Sequence, residues 1–231
     1  MSTYKHIFFD LDRTLWDFEA NSLEAFKDLF DKYNLNSIFP DLSSFHKLYR
    51  QINKQLWQDY REGLIEKQIL IYKRFYLTLK HFGHDDLELA KQIGDDYVSF
   101  SAEKTKLFPY AHEALGYLKN KYYLYIITNG FEEVQYKKIR NCHLEQYFKK
   151  IITSEKAGVQ KPHQRIFKYA LSLANANQEN SLMVGDDFEG DIRGAKAVGI
   201  DQIYFNPNQS PTTVEKATYE IDSLLQLVDL L

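Results

Sequence analysis

The hydrophobic residues of the chain follow two different rhythms. Between about residues 16 and 101 they recur at the spacing of amphipathic helices, and strand-like alternation is absent. Four stretches carry this spacing, and they are marked by Leu23, Phe26, Phe30 and Tyr33, by Phe45, Leu48, Tyr49, Ile52, Leu56, Trp57 and Tyr60, by Leu70, residues 74–77 and Leu79, and by Leu87, Ala90, Ile93 and Tyr97. The pattern predicts an α-helical module.

Outside this module, short apolar runs alternate with amphipathic helical stretches. The runs lie at residues 4–9, 122–128, 150–153, 181–184 and 202–205. The helical stretches lie near 112–120, 132–142, 164–174 and 192–198. Strand–helix alternation is typical of a doubly wound, Rossmann-like α/β fold, in which helices cover both faces of a parallel sheet. We therefore predict an α/β core of residues 1–15 and 102–231, with an α-helical domain of residues 16–101 inserted into it.

Polar residues follow four of the predicted strands. They are Asp10, Asp12 and Thr14 after the first strand, Thr128 and Asn129 after the second, Lys161 beyond the third, and Gly185, Asp186, Asp187 and Asp191 after the fourth. In doubly wound sheets, ligands bind at the carboxyl ends of the strands. We therefore expect these side chains to meet in one site.

The residue types in this set favour phosphoryl transfer. Crowded carboxylates repel one another unless a cation joins them, and hard oxygen ligands without His or Cys favour Mg²⁺. Phosphate oxygens next to that cation need donors, which Thr128, the backbone amide of Asn129 and Lys161 could supply. One carboxylate can act as the nucleophile, and a second can protonate the leaving oxygen and then activate water.

At these positions the sequence resembles the haloacid dehalogenase-like hydrolase superfamily, whose four motifs stand here in order. They are DxDx[TV] at Asp10, Asp12 and Thr14, the hydroxyl residue Thr128, Lys161 followed by Pro162, and GDxxxxD at Gly185, Asp186 and Asp191. The resemblance implies a capped phosphatase, with the helical insertion between the first two motifs as a mobile cap. It departs from the common pattern at Arg13, a position that is often Gly.

The resemblance also implies a role for each motif residue. Asp10 is expected to be the nucleophile and a Mg²⁺ ligand, and Asp12 the general acid/base that gives its backbone carbonyl to the metal. Asp186 is expected to ligate the metal. Thr128 and Lys161 are expected to hold the phosphoryl oxygens, with Lys161 also steadying Asp10. Asp187 or Asp191 is expected to act through water or by orienting Lys161.

Three longer stretches, residues 53–60, 127–131 and 154–166, look like the pyrimidine 5′-nucleotidase group of the superfamily. The resemblance implies that the substrate is a nucleoside monophosphate. A phosphatase or phosphomutase for small sugar phosphates or phosphoglycolate is the alternative. A catalytically silent binding or regulatory protein on the same fold is a third hypothesis. Asp12 argues against dehalogenation, which needs no acid at that position.

Composition narrows the range of partners. The 231 residues carry a net charge of −3 without a long run of one sign, so nothing predicts a nucleic-acid polymer as a partner. No window approaches a transmembrane span, and the single Cys142 cannot form an intramolecular disulfide. We expect a cytoplasmic protein that binds a small phosphorylated metabolite and no membrane. The sequence does not predict an oligomeric state.

Several conspicuous residues have an ordinary structural interpretation. Arg13 is expected in a surface ion pair, with a constraint on the turn or a contact with the leaving group as the alternatives. Cys142 is expected to be a packed thiol. His163 is expected to start a helix. The aromatic side chains Trp57, Tyr60 and Phe75 are interpreted as core residues rather than as the lining of a base-binding pocket.

Overall fold

The computed structural model describes residues 4–209 and 215–231. These residues form two compact units. One unit is Glu19–Lys104, and the other comprises the described residues before and after it. No helix among the described residues has the length and apolar character needed to cross a membrane.

The Glu19–Lys104 unit is helical. Its helices are α1 (Phe18–Tyr33), α2 (Leu42–Arg61), α3 (Lys67–His81) and α4 (Leu87–Glu103), with a single 3₁₀ turn at Leu35–Ser37. Each predicted helical stretch is therefore a helix. Two aspartates fix helix starts, because the Asp41 side chain accepts a hydrogen bond from the Ser44 backbone (2.7 Å) and Asp86 accepts one from Leu89 (2.9 Å).

Aromatic side chains build the core of this helical unit. The Phe26 ring lies 5.1 Å from Phe45, 4.8 Å from Tyr49 and 4.9 Å from Tyr97 between centroids. Phe75 lies in the same buried cluster, which confirms its interpretation as a core residue. Trp57 and Tyr60 remain partly exposed, so the same interpretation is not confirmed for them. Aromatic side chains thus supply much of the packing between these four helices.

The second unit contains a six-stranded sheet in which every pair is parallel. The strands are β1 (His6–Phe9), β2 (Tyr123–Thr128), β3 (Phe148–Thr153), β4 (Ser181–Gly185), β5 (Asp201–Phe205) and β6 (Tyr219–Ile221). Their order across the sheet is β3-β2-β1-β4-β5-β6. The predicted doubly wound α/β fold is confirmed.

Helices flank this sheet. They are α5 (Ala111–Leu118), α6 (Glu132–Asn141), α7 (Ser154–Ala157), α8 (Gln164–Ala174), α9 (Gly194–Lys196) and α10 (Gln226–Leu230), together with a 3₁₀ turn at Gln178–Asn180 and a π-helical turn at Phe188–Arg193. The helix predicted at 192–198 therefore begins earlier and as a π-helix. Neither β6 nor α10 was predicted, because three strand residues and five helical residues leave too little periodicity.

Alternate residues of β1 face two separate cores. Ile7 and Phe9 join a buried cluster on one face of the sheet, and Phe8 joins the cluster on the other face. Because β1 is covered on both faces, its sequence is apolar throughout rather than alternating. It pairs with β2 on one side and β4 on the other, so that Phe9 lies between Ile126 and Val184. The chain segments leaving these three strands are therefore neighbours.

Candidate active site

The site begins at Asp10, the first residue after β1. Its backbone N–H donates to the Val184 carbonyl at 2.9 Å, which extends the pairing with β4 by one residue. The residue is buried, with 7% of its surface exposed. Thr128 ends the neighbouring β2, and Asp186 follows the neighbouring β4. The strand order thus brings Thr128 and Asp186 to Asp10, from which each is more than 100 positions away in sequence.

Lys161 provides the positive charge beside Asp10. Its Nζ lies 2.6 Å from Oδ1 of Asp10, 2.6 Å from Oδ1 of Asp191 and 2.9 Å from the carbonyl oxygen of Ile127. All three hydrogens of the ammonium group are therefore engaged. Lys161 is only 4% exposed, so these contacts replace the water that the charge has lost.

Asn129 fixes the backbone of Lys161. Its side-chain Oδ1 accepts from the Lys161 N–H at 2.8 Å, and its Nδ2 donates to the Lys161 carbonyl at 3.0 Å. The Asn129 side chain therefore forms hydrogen bonds with both the N–H and the carbonyl group of Lys161. Because the side chain is engaged in this way, the predicted contact between Asn129 and a phosphoryl oxygen rests on the backbone amide of Asn129.

Asp10 belongs to a cluster of carboxylates, and Thr14 forms hydrogen bonds with two of its members. The Thr14 hydroxyl lies 3.3 Å from Oδ1 of Asp186 and 3.5 Å from Oδ2 of Asp10. One oxygen from each of Asp10, Asp186 and Asp191 lies within 4.8 Å of the others. Three buried or half-buried carboxylates around a single ammonium group leave an excess of negative charge, and their hard oxygen atoms fit a Mg²⁺ ion.

Burial is the main cause of the pKa shifts in these carboxyl groups, and the neighbouring charges add to it or oppose it. Burial raises the pKa of Asp186 well above its ordinary value, and the charges of Asp10 and Asp191 add to the shift. Burial also raises the pKa of Asp10 and brings that of Asp191 to about 7, although Lys161 opposes both shifts. For Lys161, burial favours a lower pKa, but Asp10 and Asp191 outweigh it and the net shift is upward.

Asp191 and Asp187 differ in their contacts. The Asp191 carboxylate accepts from Lys161 on one oxygen and from the Asp187 backbone N–H on the other, at 3.2 Å. The Asp187 side chain instead caps the π-helical turn, accepting from the N–H groups of Glu189 (3.1 Å) and Gly190 (3.0 Å). Of the two residues left open by the sequence, the structure places Asp191 against Lys161.

The two remaining predicted groups, Asp12 and Thr128, meet through Gln135. The Gln135 Nε2 lies 2.8 Å from Oδ2 of Asp12 and 2.6 Å from Oγ1 of Thr128. Lys138 donates to the other Asp12 oxygen at 2.5 Å. Neither α6 residue was predicted as part of the site. The only signal in the sequence is a polar pair three residues apart on the helix that follows the Thr128 strand.

Arg13 occupies a left-handed backbone conformation, with φ at 67°. Glycine adopts this conformation without steric cost, which explains why that residue is common at this position in the superfamily. The Arg13 guanidinium stacks 4.1 Å from the Phe18 ring centroid. Its side chain is exposed, and its positive charge lowers the pKa of Asp186 against the dominant effect of burial.

Two other residues have structural roles. His163 precedes α8, and its Nδ1 accepts from the Arg165 N–H at 3.1 Å, which confirms the prediction that it starts a helix. Cys142 is buried, and burial raises the pKa of its thiol to about 11. A thiol with that pKa is a poor nucleophile at neutral pH.

Comparison with known proteins places the chain in a family. The sequence model of the haloacid dehalogenase-like hydrolases matches residues 4–199. The chain therefore belongs to the haloacid dehalogenase-like hydrolase family, as its four motifs predicted.

Individual relatives cover the whole chain. The crystal structure of the HAD-hydrolase YfnB from Bacillus subtilis, bound to magnesium, is 31% identical, superposes with a TM-score of 0.88 and covers 98% of both chains. The pyrimidine 5′-nucleotidase PynA of Streptococcus pneumoniae is 32% identical over 99% of this chain and 95% of its own. A glyceraldehyde 3-phosphate phosphatase of Pyrococcus furiosus is 30% identical over 100% of this chain and 94% of its own.

Proposed function

We propose that this protein is a Mg²⁺-dependent phosphatase in which Asp10 accepts the phosphoryl group. The observation that carries the proposal is the position of Asp10, a buried carboxylate at the carboxyl end of β1, held by Lys161 and next to Asp186. A lysine contact on one oxygen fixes the carboxylate in place, as in-line attack on phosphorus requires.

Both chemical steps use Asp10 and Asp12. In the first, an oxygen of Asp10 forms a bond to phosphorus while the bond from phosphorus to the ester oxygen breaks, and Asp12 gives a proton to that leaving oxygen. In the second, Asp12 takes a proton from water as the water oxygen attacks phosphorus. The bond between phosphorus and Asp10 then breaks, and inorganic phosphate and the free carboxylate are released.

Thr128 and Lys161 support these steps without changing their own covalent bonds. We propose that the Thr128 hydroxyl and the backbone amide of Asn129 donate to phosphoryl oxygens. Lys161 offsets the charge of Asp10 and keeps it oriented. Because the three hydrogens of Lys161 are already engaged, its contact with a phosphoryl oxygen would share a hydrogen with Asp10 or Asp191.

The metal is proposed to bind Asp10, Asp186 and the backbone carbonyl of Asp12. The Asp191 oxygens both accept hydrogen bonds from protein groups, so Asp191 is assigned to Lys161 rather than to direct coordination. When bound, Mg²⁺ supplies charge neutralisation for the phosphoryl oxygens. The similarity to a magnesium-bound relative supports this choice of metal.

We further propose that the substrate is a pyrimidine nucleoside monophosphate. The similarity to PynA across nearly the whole length of both chains supports this substrate class. The similarity to a glyceraldehyde 3-phosphate phosphatase at nearly the same identity supports a second candidate, a small sugar phosphate. Both candidates share the mechanism and differ in the leaving group.

Phosphate release from a panel of substrates tests the proposal. The panel holds pyrimidine and purine monophosphates, sugar phosphates and phosphoglycolate, each with Mg²⁺ and with a chelator. The Asp10→Asn variant is expected to lose release completely, whereas Asp229→Asn, which changes an exposed aspartate on α10, keeps it. Preference for sugar phosphates would keep the mechanism and reject the nucleotidase assignment. No release from any substrate by folded, Mg²⁺-loaded wild type would favour the catalytically silent alternative.

A further inference from the structure

Two side chains of α6 converge on the carboxylate of Asp12. Lys138 donates to Oδ1 at 2.5 Å, and Gln135 donates to Oδ2 at 2.8 Å. The two residues lie three positions apart on the helix, so they project from the same face. Each Asp12 oxygen therefore receives one donor from α6, which restricts rotation of the carboxylate about its own bond.

We propose that Lys138 and Gln135 are positioning residues for proton transfer, which rests on the proposed function of Asp12 as general acid/base. Lys138 holds the Asp12 carboxyl group in the orientation from which it can give a proton to the leaving oxygen. Gln135 holds the same carboxylate and also orients the hydroxyl of Thr128. Proton transfer is efficient only when the acid lies within hydrogen-bond reach of its acceptor, so a carboxylate that rotates freely transfers protons poorly.

Burial sets Lys138 apart from an ordinary surface lysine. It is 4% exposed, and its ammonium group lies 3.7 Å from the ring centroid of Trp16. A lysine charge loses its water shell at such a site and needs a compensating partner. Asp12 supplies the opposite charge, and the Trp16 ring adds a cation–π contact. The neighbouring Lys137 on the same helix is exposed, as lysines usually are.

The contacts of Gln135 determine the direction of the Thr128 hydroxyl. The Thr128 Oγ1 accepts from Gln135 Nε2 at 2.6 Å and from the Gly130 N–H at 3.2 Å. A hydroxyl has two acceptor positions and one hydrogen. With both acceptor positions filled, that hydrogen is left to donate elsewhere. This is the polarity that a phosphoryl oxygen requires.

Two observations indicate that the Gln135 amide is kept for its donors. Its Oε1 is buried and has no hydrogen-bond partner among the described residues, which costs free energy that a similarly sized leucine would avoid. Exchanging the two amide atoms would place Oε1 against the Asp12 carboxylate, so the orientation follows from charge. A Cβ at Gly130 would lie 2.5 Å from the Gln135 amide, so glycine makes room for it.

A pair of aryl phosphates of similar size tests the role of Lys138. Phenyl phosphate needs a proton on its leaving oxygen more than p-nitrophenyl phosphate does, because nitrophenolate is the weaker base. The parameter kcat/KM covers the steps up to departure of the leaving group. Lys138→Met is expected to lower kcat/KM about 10-fold more for phenyl phosphate than for p-nitrophenyl phosphate, a fraction of the usual contribution of general acid catalysis.

The controls separate positioning from a structural effect. Lys137→Met should leave kcat/KM unchanged for both substrates. Lys138→Arg should bring the ratio of the two kcat/KM values part of the way back to that of the wild type. An equal loss on both substrates, or no loss, would overturn the role of Lys138. If Lys138→Met does not fold, as judged by thermal unfolding, Lys138→Gln takes its place, and an unchanged ratio of kcat/KM between the two substrates overturns the role. Phosphate release by wild type from neither ester and from no member of the substrate panel would overturn the proposed function itself, and the inference with it.

The binding of the product, inorganic phosphate, tests the role of Gln135. In Gln135→Leu the Thr128 hydroxyl loses one donor and with it a fixed direction. Competitive inhibition by inorganic phosphate is therefore expected to weaken about 10-fold, while Lys138→Met changes it less than 2-fold. Unchanged inhibition by phosphate in folded Gln135→Leu would overturn the role assigned to Gln135.

Discussion

The carboxylate of Asp191 lies 2.6 Å from the ammonium group of Lys161, and both side chains are buried. Lys161 contacts Asp10 at the same distance. One lysine therefore joins the proposed nucleophile to a second carboxylate that emerges from a π-helical turn. The position of the nucleophile thus depends on a residue that does not itself need to touch the substrate.

The first prediction concerns this second carboxylate. Asp191→Asn keeps the shape of the side chain but weakens its bond to Lys161, so Lys161 and Asp10 lose their fixed orientation. Phosphatase kcat is expected to fall about 10- to 100-fold, as for other residues that orient a metal or its ligands. Steady-state kinetics with Mg²⁺ at saturation check this.

Asp187→Asn is the matched control for that experiment. Its side chain caps the π-helical turn and has no contact with Lys161 among the described residues. It should therefore lower kcat much less than Asp191→Asn does. Equal losses in the two variants would contradict the assignment of Asp191 to Lys161.

The strands and the polar residues after them were predictable because both leave local signals. A strand covered on both faces is a short apolar run, and the residue that follows it stands at the same edge of a parallel sheet as its neighbours. Asp10, Thr128 and Asp186 could be placed on that basis. Lys161 lies eight residues after the end of β3, so its place in the site came from the motif rather than from strand geometry.

The second prediction concerns Gly185. A Cβ at this position would lie 2.2 Å from Oδ2 of Asp191, which real structures do not tolerate. Gly185→Ala is therefore expected to displace Asp191, to lower the free energy of unfolding by about 1–3 kcal/mol and to lower activity. Denaturant unfolding and phosphate release measure the two effects.

Gly116 provides the opposite case for comparison. It lies within α5, and a Cβ there meets no other atom within 4 Å. Gly116→Ala should raise the free energy of unfolding by about 0.5–1 kcal/mol and leave activity unchanged. Destabilisation by both alanines to the same extent would refute the steric explanation for Gly185.

The support around the site could not be predicted, for a physical reason. Gln135 and Lys138 belong to a helix whose sequence resembles any amphipathic helix, and their role exists only because α6 packs beside the end of β1. The different roles of Asp187 and Asp191 depend on the π-helical turn, which has no sequence pattern of its own. Contacts between distant segments decide both.

The third prediction concerns the cost of the acidic cluster. Burial and the neighbouring carboxylates raise the pKa of Asp186, which means that its charged form is disfavoured in the metal-free fold. Asp186→Asn removes that repulsion. The melting temperature of the metal-free protein at pH 8 is expected to rise by about 2–4 °C, corresponding to roughly 1 kcal/mol. Stabilisation by Mg²⁺ and phosphatase activity should both disappear.

The outcome distinguishes the proposed ligand from a structural residue. Asp12→Asn serves as the comparison, because its side chain is held by donors rather than by other carboxylates. It should not raise the melting temperature. A lower melting temperature for metal-free Asp186→Asn would mean that the carboxylate stabilises the fold, and the explanation from repulsion would be wrong.

The fourth prediction links Mg²⁺ binding to pH. Burial raises the pKa of Asp191 to about 7; Lys161 opposes this shift, and the charges of Asp10 and Asp187 add to it. Burial also raises the pKa values of Asp10 and Asp186. A carboxyl group with a raised pKa contributes stability below its ordinary pKa and loses it as the pH rises through the folded value. The contribution of this cluster to metal-free stability therefore falls between about pH 4 and pH 7.

Mg²⁺ should reverse that loss, because the cation replaces protons and neutralises the charged carboxylates. The increase in melting temperature caused by a fixed Mg²⁺ concentration is expected to be small at pH 5.5 and several-fold larger at pH 8. Taking the difference with and without Mg²⁺ removes the opposite contribution of His6 and His46, whose pKa values burial lowers. Titration calorimetry at pH 6 in two buffers should show proton release on binding. A Mg²⁺ effect independent of pH, with no protons released, would mean that the cluster is already ionised without the metal.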